Sequence, residues 1–502
     1  MDPTAVLQIK NSIPYFVPEL MLSATFLLVL IGEIVTKRST YGGFGLITLG
    51  GLIATAFLSL QLYKLPETSL FFRMIVVDNF GIFFKVIFAV SAILVVLFSM
   101  NSPELEKYSA GEYYCLIIAV VLGMNLLASS TNLLMIWLAL ELVSIPSYLL
   151  AGFLKEDKLS TEAALKFVIY GSVSTAIMLF GFSYLYGMTG AYEINDIRAA
   201  LKAGEINSTV LLITVSLILV GIGYKIASVP FHFWLPDVFQ GSPTAITAFF
   251  SYGPKAAGLA LLIRFFYGVF AEGGPAYEVV GGLYWPALMA MMAAITMTVG
   301  NVVAIWQTSM KRMLGYSSIA HVGYMLMGFV LLRQDGIQAI LFYLMIYMVM
   351  NLGAFLVVIA LSGQMESDDL SQYRGLAARS QFASAILGIF MLSLTGIPPF
   401  AGFIGKFYLF AAAVHAEFYW LVIVAVLNSV VSFVYYGGVV RRMYLEEASS
   451  NTPIVLPSLS RTLLVILAIA VLAMGVYWSP IADYSERSAR FFSQKAAIAK
   501  VD

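Results

Sequence analysis

Long apolar runs leave this chain few folds to choose from. Fourteen of them can be counted, at approximately 13–35, 42–62, 75–100, 112–129, 131–151, 162–188, 208–229, 243–270, 282–306, 312–332, 336–361, 381–410, 417–440 and 459–478. A helix crosses the roughly 30 Å hydrocarbon core of a bilayer in about 20 residues. Only helices and closed barrels can do so, because lipid offers backbone polar groups no water. Continuous runs of this length fit helices and not the short alternating strands of a barrel. Composition points the same way: 60% of the residues are hydrophobic and 11% charged, against about 25% charged in soluble domains. The expected fold class is an all-α polytopic membrane protein of about fourteen transmembrane helices.

Several functions are disfavoured by what the chain lacks. A single cysteine, Cys115, excludes an internal disulfide and any cysteine-clustered zinc or iron–sulfur centre. The three histidines, His232, His321 and His415, stand far apart in sequence. Equal numbers of basic and acidic residues, 28 of each, give no nucleic-acid footprint. No glycine-rich nucleotide loop appears, so redox chemistry on this chain is not expected. The N-terminal stretch MDPTAVLQIKNSIPYFVPEL lacks the cationic start of a cleaved signal peptide, and its first helix is expected to serve as signal and anchor.

An even number of helices puts both termini on one side. With the termini outside, the inner loops hold Lys37, Arg38, Lys107, Lys155, Lys158, Lys311, Arg312, Arg374, Arg379, Arg441 and Arg442. The outer loops hold Lys64, Arg73, Arg198, Lys202 and Arg333, and the tail after residue 478 adds four basic residues. The loop bias favours termini outside under the positive-inside rule.

Charges inside the apolar runs carry the functional signal, since each costs about 2.5–3.5 kcal/mol at a helix centre. Glu141 lies about ten residues into LLMIWLALELVSIPSYLL, just ahead of Pro146. Lys166 stands one turn into the next run, where snorkelling competes with a functional role. Lys225 ends VLLITVSLILVGIGYK, after Gly221 and Gly223 and before Pro230 and Pro236, so the helix is expected to break there. A broken membrane helix normally lines a polar cavity that satisfies its freed carbonyls. Lys255 follows Pro254 in mid-run, and Arg264, further along the same run, reads as reaching an interface.

The second half repeats the pattern. Lys311 and Arg312 open a run at what reads as an ordinary loop edge, and His321 lies ten residues deeper. A histidine can titrate near neutrality, and a relay role for His321 stands beside that of a satisfied core residue. MLSLTGIPPFAGFIGKFYLF then pairs Pro398 with Pro399 among Gly396, Gly402 and Gly405, with Lys406 just beyond. Two broken helices at corresponding places in two halves point to an inverted-repeat transporter. One carboxylate and several lysines in consecutive helices suit proton or cation translocation, because a nearby carboxylate stabilises a charged lysine.

These residues also carry a resemblance. LALELVSIPSYLLAGF, EAALKFVIYGS, VPFHFWLPDVFQGSPT, SYGPKAAG and TGIPPFAGFIGKF resemble the antiporter-like subunits of respiratory complex I, and within them the N branch. The resemblance runs over essentially the whole chain. It implies three N-terminal transmembrane helices in 1–111, a five-helix repeat in 112–270, an inverted five-helix repeat in 282–440, and a C-terminal helix and tail in 441–502, with helices 7 and 12 discontinuous. It further implies a proton path through Glu141, Lys166, Lys225, Lys255 and Lys406, with His232, Asp237 and His321 ranked second.

The resemblance implies a pump module in the bacterial inner membrane with no cofactor or metal of its own. FMN, iron–sulfur clusters, NADH and quinone are expected on other subunits, whose redox energy drives pumping here. Expected partners are the M-like antiporter subunit, the small K-like subunit and lipid, with no nucleic acid. The alternative is an ion-translocating subunit of a related Na⁺/H⁺ antiporter, membrane-bound hydrogenase, or F420- or ferredoxin-linked dehydrogenase complex.

Overall fold

Helices form where the apolar runs stand. A computed structural model describes residues 3–36, 41–63, 65–100, 102–203, 207–270, 279–280, 283–331, 333–365, 367–448 and 452–490. Lys37, Arg38 and Lys64 of the loop-charge count, and Lys495 and Lys500 of the tail, lie outside the described residues.

A short α1 (Pro3–Ser12) leads into α2 (Val17–Thr36), α3 (Tyr41–Gln61) and α4 (Asn79–Ser99). Between the last two, β1 (Thr68–Leu70) and β2 (Ile75–Val77) pair as an antiparallel hairpin. There follow α5 (Ala110–Ser129), α6 (Leu133–Ala151), α7 (Lys158–Thr189), a short α8 (Ile194–Ala203), α9 (Ser208–Ile226), α10 (Trp234–Gly241) and α11 (Thr244–Phe270). The closely spaced runs at 112–129 and 131–151 are separate helices. After the two-residue strands β3 (Val279–Val280) and β4 (Leu283–Tyr284) come α12 (Trp285–Ile305), α13 (Met310–Val330) and α14 (Gln334–Ser362). The chain continues through α15 (Leu376–Arg379), α16 (Gln381–Thr395), α17 (Ala401–His415), α18 (Tyr419–Leu445), α19 (Ser458–Val476) and α20 (Ser479–Ala489).

Thirteen helices among the described residues are long and apolar enough to cross a membrane. The expected count of fourteen differs because the run at 381–410 is two shorter helices, α16 and α17, separated by residues 396–400. Gly396 and the Pro398–Pro399 pair account for the interruption: glycine accepts the left-handed conformation, and proline removes backbone donors.

The two interruptions end their helices in the same way. After α9, Ala227 takes a left-handed conformation (φ 57°), its N–H donating to Tyr224 O (3.0 Å) and that of Ser228 to Gly223 O (2.9 Å). After α16, Gly396 does so at φ 87°, its N–H donating to Ser393 O (2.9 Å) and that of Ile397 to Leu392 O (3.2 Å). Both are Schellman closures, which satisfy carbonyls a helix end leaves free. A neighbour then braces each break: Thr296 Oγ1 of α12 accepts from Val229 N (3.1 Å), and Gly475 of α19 brings its Cα against Pro399 O.

Close approach of backbones holds the second half together. At Gly300 of α12 an added Cβ would stand 2.5 Å from Ala320 N, and at Gly323 of α13 one would stand 2.4 Å from Met297 N. Small residues at such crossings let helices pack in lipid, where hydrophobicity does not drive association.

Two buried ion pairs fasten the N-terminal helices to the rest. Arg264 of α11 donates to both carboxylate oxygens of Asp78 (2.8 and 2.9 Å) and to Ala128 O (2.6 Å). Its guanidinium is buried, so the expectation that it reaches an interface is corrected: a counter-charge at the cap of α4 holds it inside. Glu19 Oε1 of α2 lies 2.8 Å from Lys85 Nζ of α4, both side chains buried.

Removing one member of such a pair strands a charge, at a cost of about 3–5 kcal/mol, while replacing both restores much of the loss. Arg264→Met is therefore expected to lower the thermal midpoint of the solubilised assembly sharply, and Asp78→Asn combined with it to recover a large part. A double variant as unstable as the sum of the single losses would contradict this coupling.

Candidate functional site

Polar side chains, buried except at Glu141, form a row from α6 to α17. At one end, Glu141 of α6 is half-buried and makes no ion pair among the described residues. One turn along the same helix, Ser144 Oγ accepts a hydrogen bond from Lys225 Nζ (3.0 Å). Lys225 occupies the last turn of α9, where the helix dipole favours a cation. It lies within electrostatic range of Glu141.

From Lys225 the row passes to α11. Gly258 lets α11 approach so closely that an added Cβ would stand 3.2 Å from Lys225 Cγ. One turn earlier on α11, Lys255 is buried, and its Nζ donates to Ser318 Oγ of α13 at 2.5 Å. The Phe239 ring lies 5.5 Å from that ammonium.

Helix α13 carries the row onward at one-turn intervals: Ser318, His321, Tyr324. His321 is buried, with Nδ1 2.6 Å from the Tyr343 hydroxyl and Nε2 3.2 Å from that of Tyr436. Tyr436 also hydrogen-bonds Ser317. His321 is within electrostatic range of both Lys255 and Lys406. At the far end the buried Lys406 Nζ donates to Thr395 O (2.8 Å), the carbonyl at the end of α16, and lies 4.7 Å from the centre of the Tyr324 ring.

Lys166 and Asp237 sit apart from this row. The Lys166 side chain is 37% exposed and bonds Asp237 Oδ2 (2.5 Å) and Glu162 Oε1 (2.8 Å), rather than Glu141. The other oxygen of Asp237 accepts from Arg312 Nη1 of α13 at 2.5 Å. Arg312 is itself steadied by Gln307 Oε1 (3.1 Å) and Gln240 Oε1 (3.0 Å). Its neighbour Lys311 donates to Ser242 O (3.0 Å), the end of α10. The pair that reads as a loop edge in sequence therefore grips both Asp237 and the end of its helix. His232 lies buried at the first break against Phe233, within electrostatic range of Lys255.

Sequence reasoning missed Glu19, Lys85, Tyr343 and Tyr436. Lys85 was legible, as a lone lysine in NFGIFFKVIFAVSAILVVLFS. The tyrosines, apolar by composition, gave no such signal. Among the described residues no group of three or more His, Cys, Asp or Glu is arranged to hold a metal.

Residues 130–432 match the family described as NADH:quinone oxidoreductase/Mrp antiporter, transmembrane. The chain is 45% identical over 492 residues to NADH-quinone oxidoreductase subunit N 2 of Chloroherpeton thalassium, covering 96% of this chain and 95% of that protein. The chain belongs to the subunit N family of NADH-quinone oxidoreductase. It is a multi-pass bacterial membrane subunit of that family, coupled to proton or ion translocation. A chain of respiratory complex I from Thermus thermophilus has the same fold, with TM-score 0.77 and 30% identity over 93% of this chain and 98% of that one. A chain of the Mrp complex from Dietzia sp. shares the fold alone, with TM-score 0.78 and 19% identity over 98% of each.

The span shared with this family contains all eight candidate residues, whereas Glu19, Asp78 and Lys85 lie outside it. Tyr436 is the side chain whose removal tests the row most directly. Tyr436→Phe would leave His321 Nε2 without its partner, and an unmade buried hydrogen bond costs about 1–3 kcal/mol. Proton pumping by the reconstituted complex is expected to fall roughly five-fold or more. Tyr435→Phe, which removes a bond to Asn301 Oδ1 (2.9 Å) instead, is expected to leave pumping near the parent rate. Equal effects of the two would separate Tyr436 from the row.

Proposed function

We propose that this chain is the N-type proton-translocating subunit of an NADH–quinone oxidoreductase, and that Glu141, Lys225, Lys255, His321 and Lys406 form its proton path. One observation carries the reading: the three buried lysines of the row are bonded to neutral groups, namely Ser144 Oγ, Ser318 Oγ and Thr395 O. A lysine bonded to a hydroxyl or carbonyl can give up its proton without abandoning a buried counter-charge. Lys85 and Arg264, locked to carboxylates at 2.8 Å, cannot.

Glu141 modulates the proton affinity of the Lys225 region in this scheme, and Lys225 passes its proton to Lys255. His321, with a hydroxyl at each ring nitrogen, bridges Lys255 and Lys406, from which the proton leaves. Asn351 Oδ1 and the Tyr252 hydroxyl, both buried, have no hydrogen-bond partner among the described residues. Such atoms are normally satisfied by ordered water, which would complete the relay. Lys166, Asp237 and His232 serve as positioning groups beside it.

The architecture that fits is a pair of inverted five-helix repeats, 112–270 and 282–440, flanked by 1–111 and 441–502. The matching caps after α9 and α16 support reading helices 7 and 12 as discontinuous spans. Redox energy would come from other subunits, and the M-like and K-like membrane subunits are the neighbours this reading requires.

Lys225→Ala in the assembled complex is expected to abolish most proton pumping while the amount of complex changes little. The paired variant Glu19→Gln, Lys85→Met is expected to leave the protons pumped per electron unchanged, whatever it does to yield. Fluorescent pH-gradient assays run beside quinone reduction check both. Normal pumping by the Lys225 variant would remove that residue from the path.

A further inference from the structure

The charged row does not use a cavity of about 610 Å³ that opens between α12, α13 and α18. Its wall changes character along α18. Phe433 and Val434 are exposed and apolar, while Arg441 and Arg442 line the same cavity two turns further on. The intervening rise is about 12 Å. Gly437 and Gly438 lie between them, and a Cβ at Gly438 would meet nothing within 4 Å, so this stretch of the helix is open. Gln307 lines the cavity too, next to Trp306, which is 80% exposed.

One cation at the arginine end has no carboxylate bonded to it among the described residues. Glu446 pairs with both Arg374 and Arg441, each at 3.0 Å. Arg442 makes no ion pair among the described residues, with Asp369 in electrostatic range.

We propose that this cavity binds an anionic phospholipid, with its phosphate at Arg441 and Arg442 and its acyl chains over Phe433 and Val434. Basic pockets between transmembrane helices suit acidic head groups. The guanidinium fork matches phosphate oxygens. An exposed tryptophan beside the cavity marks the depth at which head groups lie. A cation above an apolar wall selects an amphiphile over a free anion.

The intact complex, reconstituted in phosphatidylcholine vesicles with subsaturating photoactivatable phosphatidylglycerol, tests the site. Labelling is expected on peptides spanning Phe433–Arg442, and to be competed by unlabelled phosphatidylglycerol but not by extra phosphatidylcholine or inorganic phosphate. Arg441→Gln with Arg442→Gln should lower labelling roughly 25-fold, at about five-fold for each arginine lost. Gly438→Leu, which fills the cavity and leaves the charges alone, should lower it as well, so a folding defect of the charge variant does not decide the matter. Labelling unchanged in both variants would overturn the site, equal competition by phosphatidylcholine would overturn its charge selectivity, and competition by phosphate would assign it to a free anion.

Discussion

Lys85, Lys225, Lys255, Arg264 and Lys406 are all buried within helices long or apolar enough for a membrane interior, where no bulk water compensates a charge. What each can do is decided by its partner. A carboxylate fixes the proton on its cation, because losing it would strand a second charge in the same medium. A serine hydroxyl or a peptide carbonyl imposes no such penalty. The division follows position in the fold: carboxylate-paired cations tie α2, α4 and α11 together, and neutrally paired lysines run from α9 through α11 to α17.

The broken helices supply part of that neutral environment. A helix end exposes carbonyls with no intrahelical partner, and Thr395 O, freed where α16 stops, accepts from Lys406. Lys225 is placed differently, in the last turn before its break, where the carbonyl end of α9 faces a cation favourably. The same closure thus works in two ways: one end carries the lysine, and the other end receives it. At the second end the left-handed closure falls on Gly396, ahead of the Pro398–Pro399 pair, while at the first it falls on Ala227.

How much of this could be read in the sequence depended on whether a signal was local. Lys225, Lys255 and Lys406 stood out because a lysine inside an apolar run costs several kcal/mol wherever it points. The breaks stood out because glycine and proline act on their own backbone. Partner choice did not, since it is tertiary: Arg264 meets Asp78 across 186 positions, and Lys255 meets Ser318 across 63. Lys166 joined the expected path only through the resemblance, and its partners were not legible in the sequence. The packing of α10 on α7 brings Asp237 to it across 71 positions. His321 was ambiguous in sequence for the same reason, its meaning resting on hydroxyls 22 and 115 positions away.

Asp237 gives the two halves a shared charge, and its partners are not equivalent. Its oxygens are divided between Lys166 of α7 and Arg312 of α13. Arginine does not deprotonate under protein conditions, and its planar fork is held here by Gln240 and Gln307 as well. Lysine is a flexible point charge that can change protonation state. Asp237 therefore has in Arg312 a counter-charge that does not titrate, and α10 is anchored through Arg312 and the Lys311–Ser242 bond. A lysine in place of Arg312 would lose the planar fork that Gln240 and Gln307 hold against Asp237.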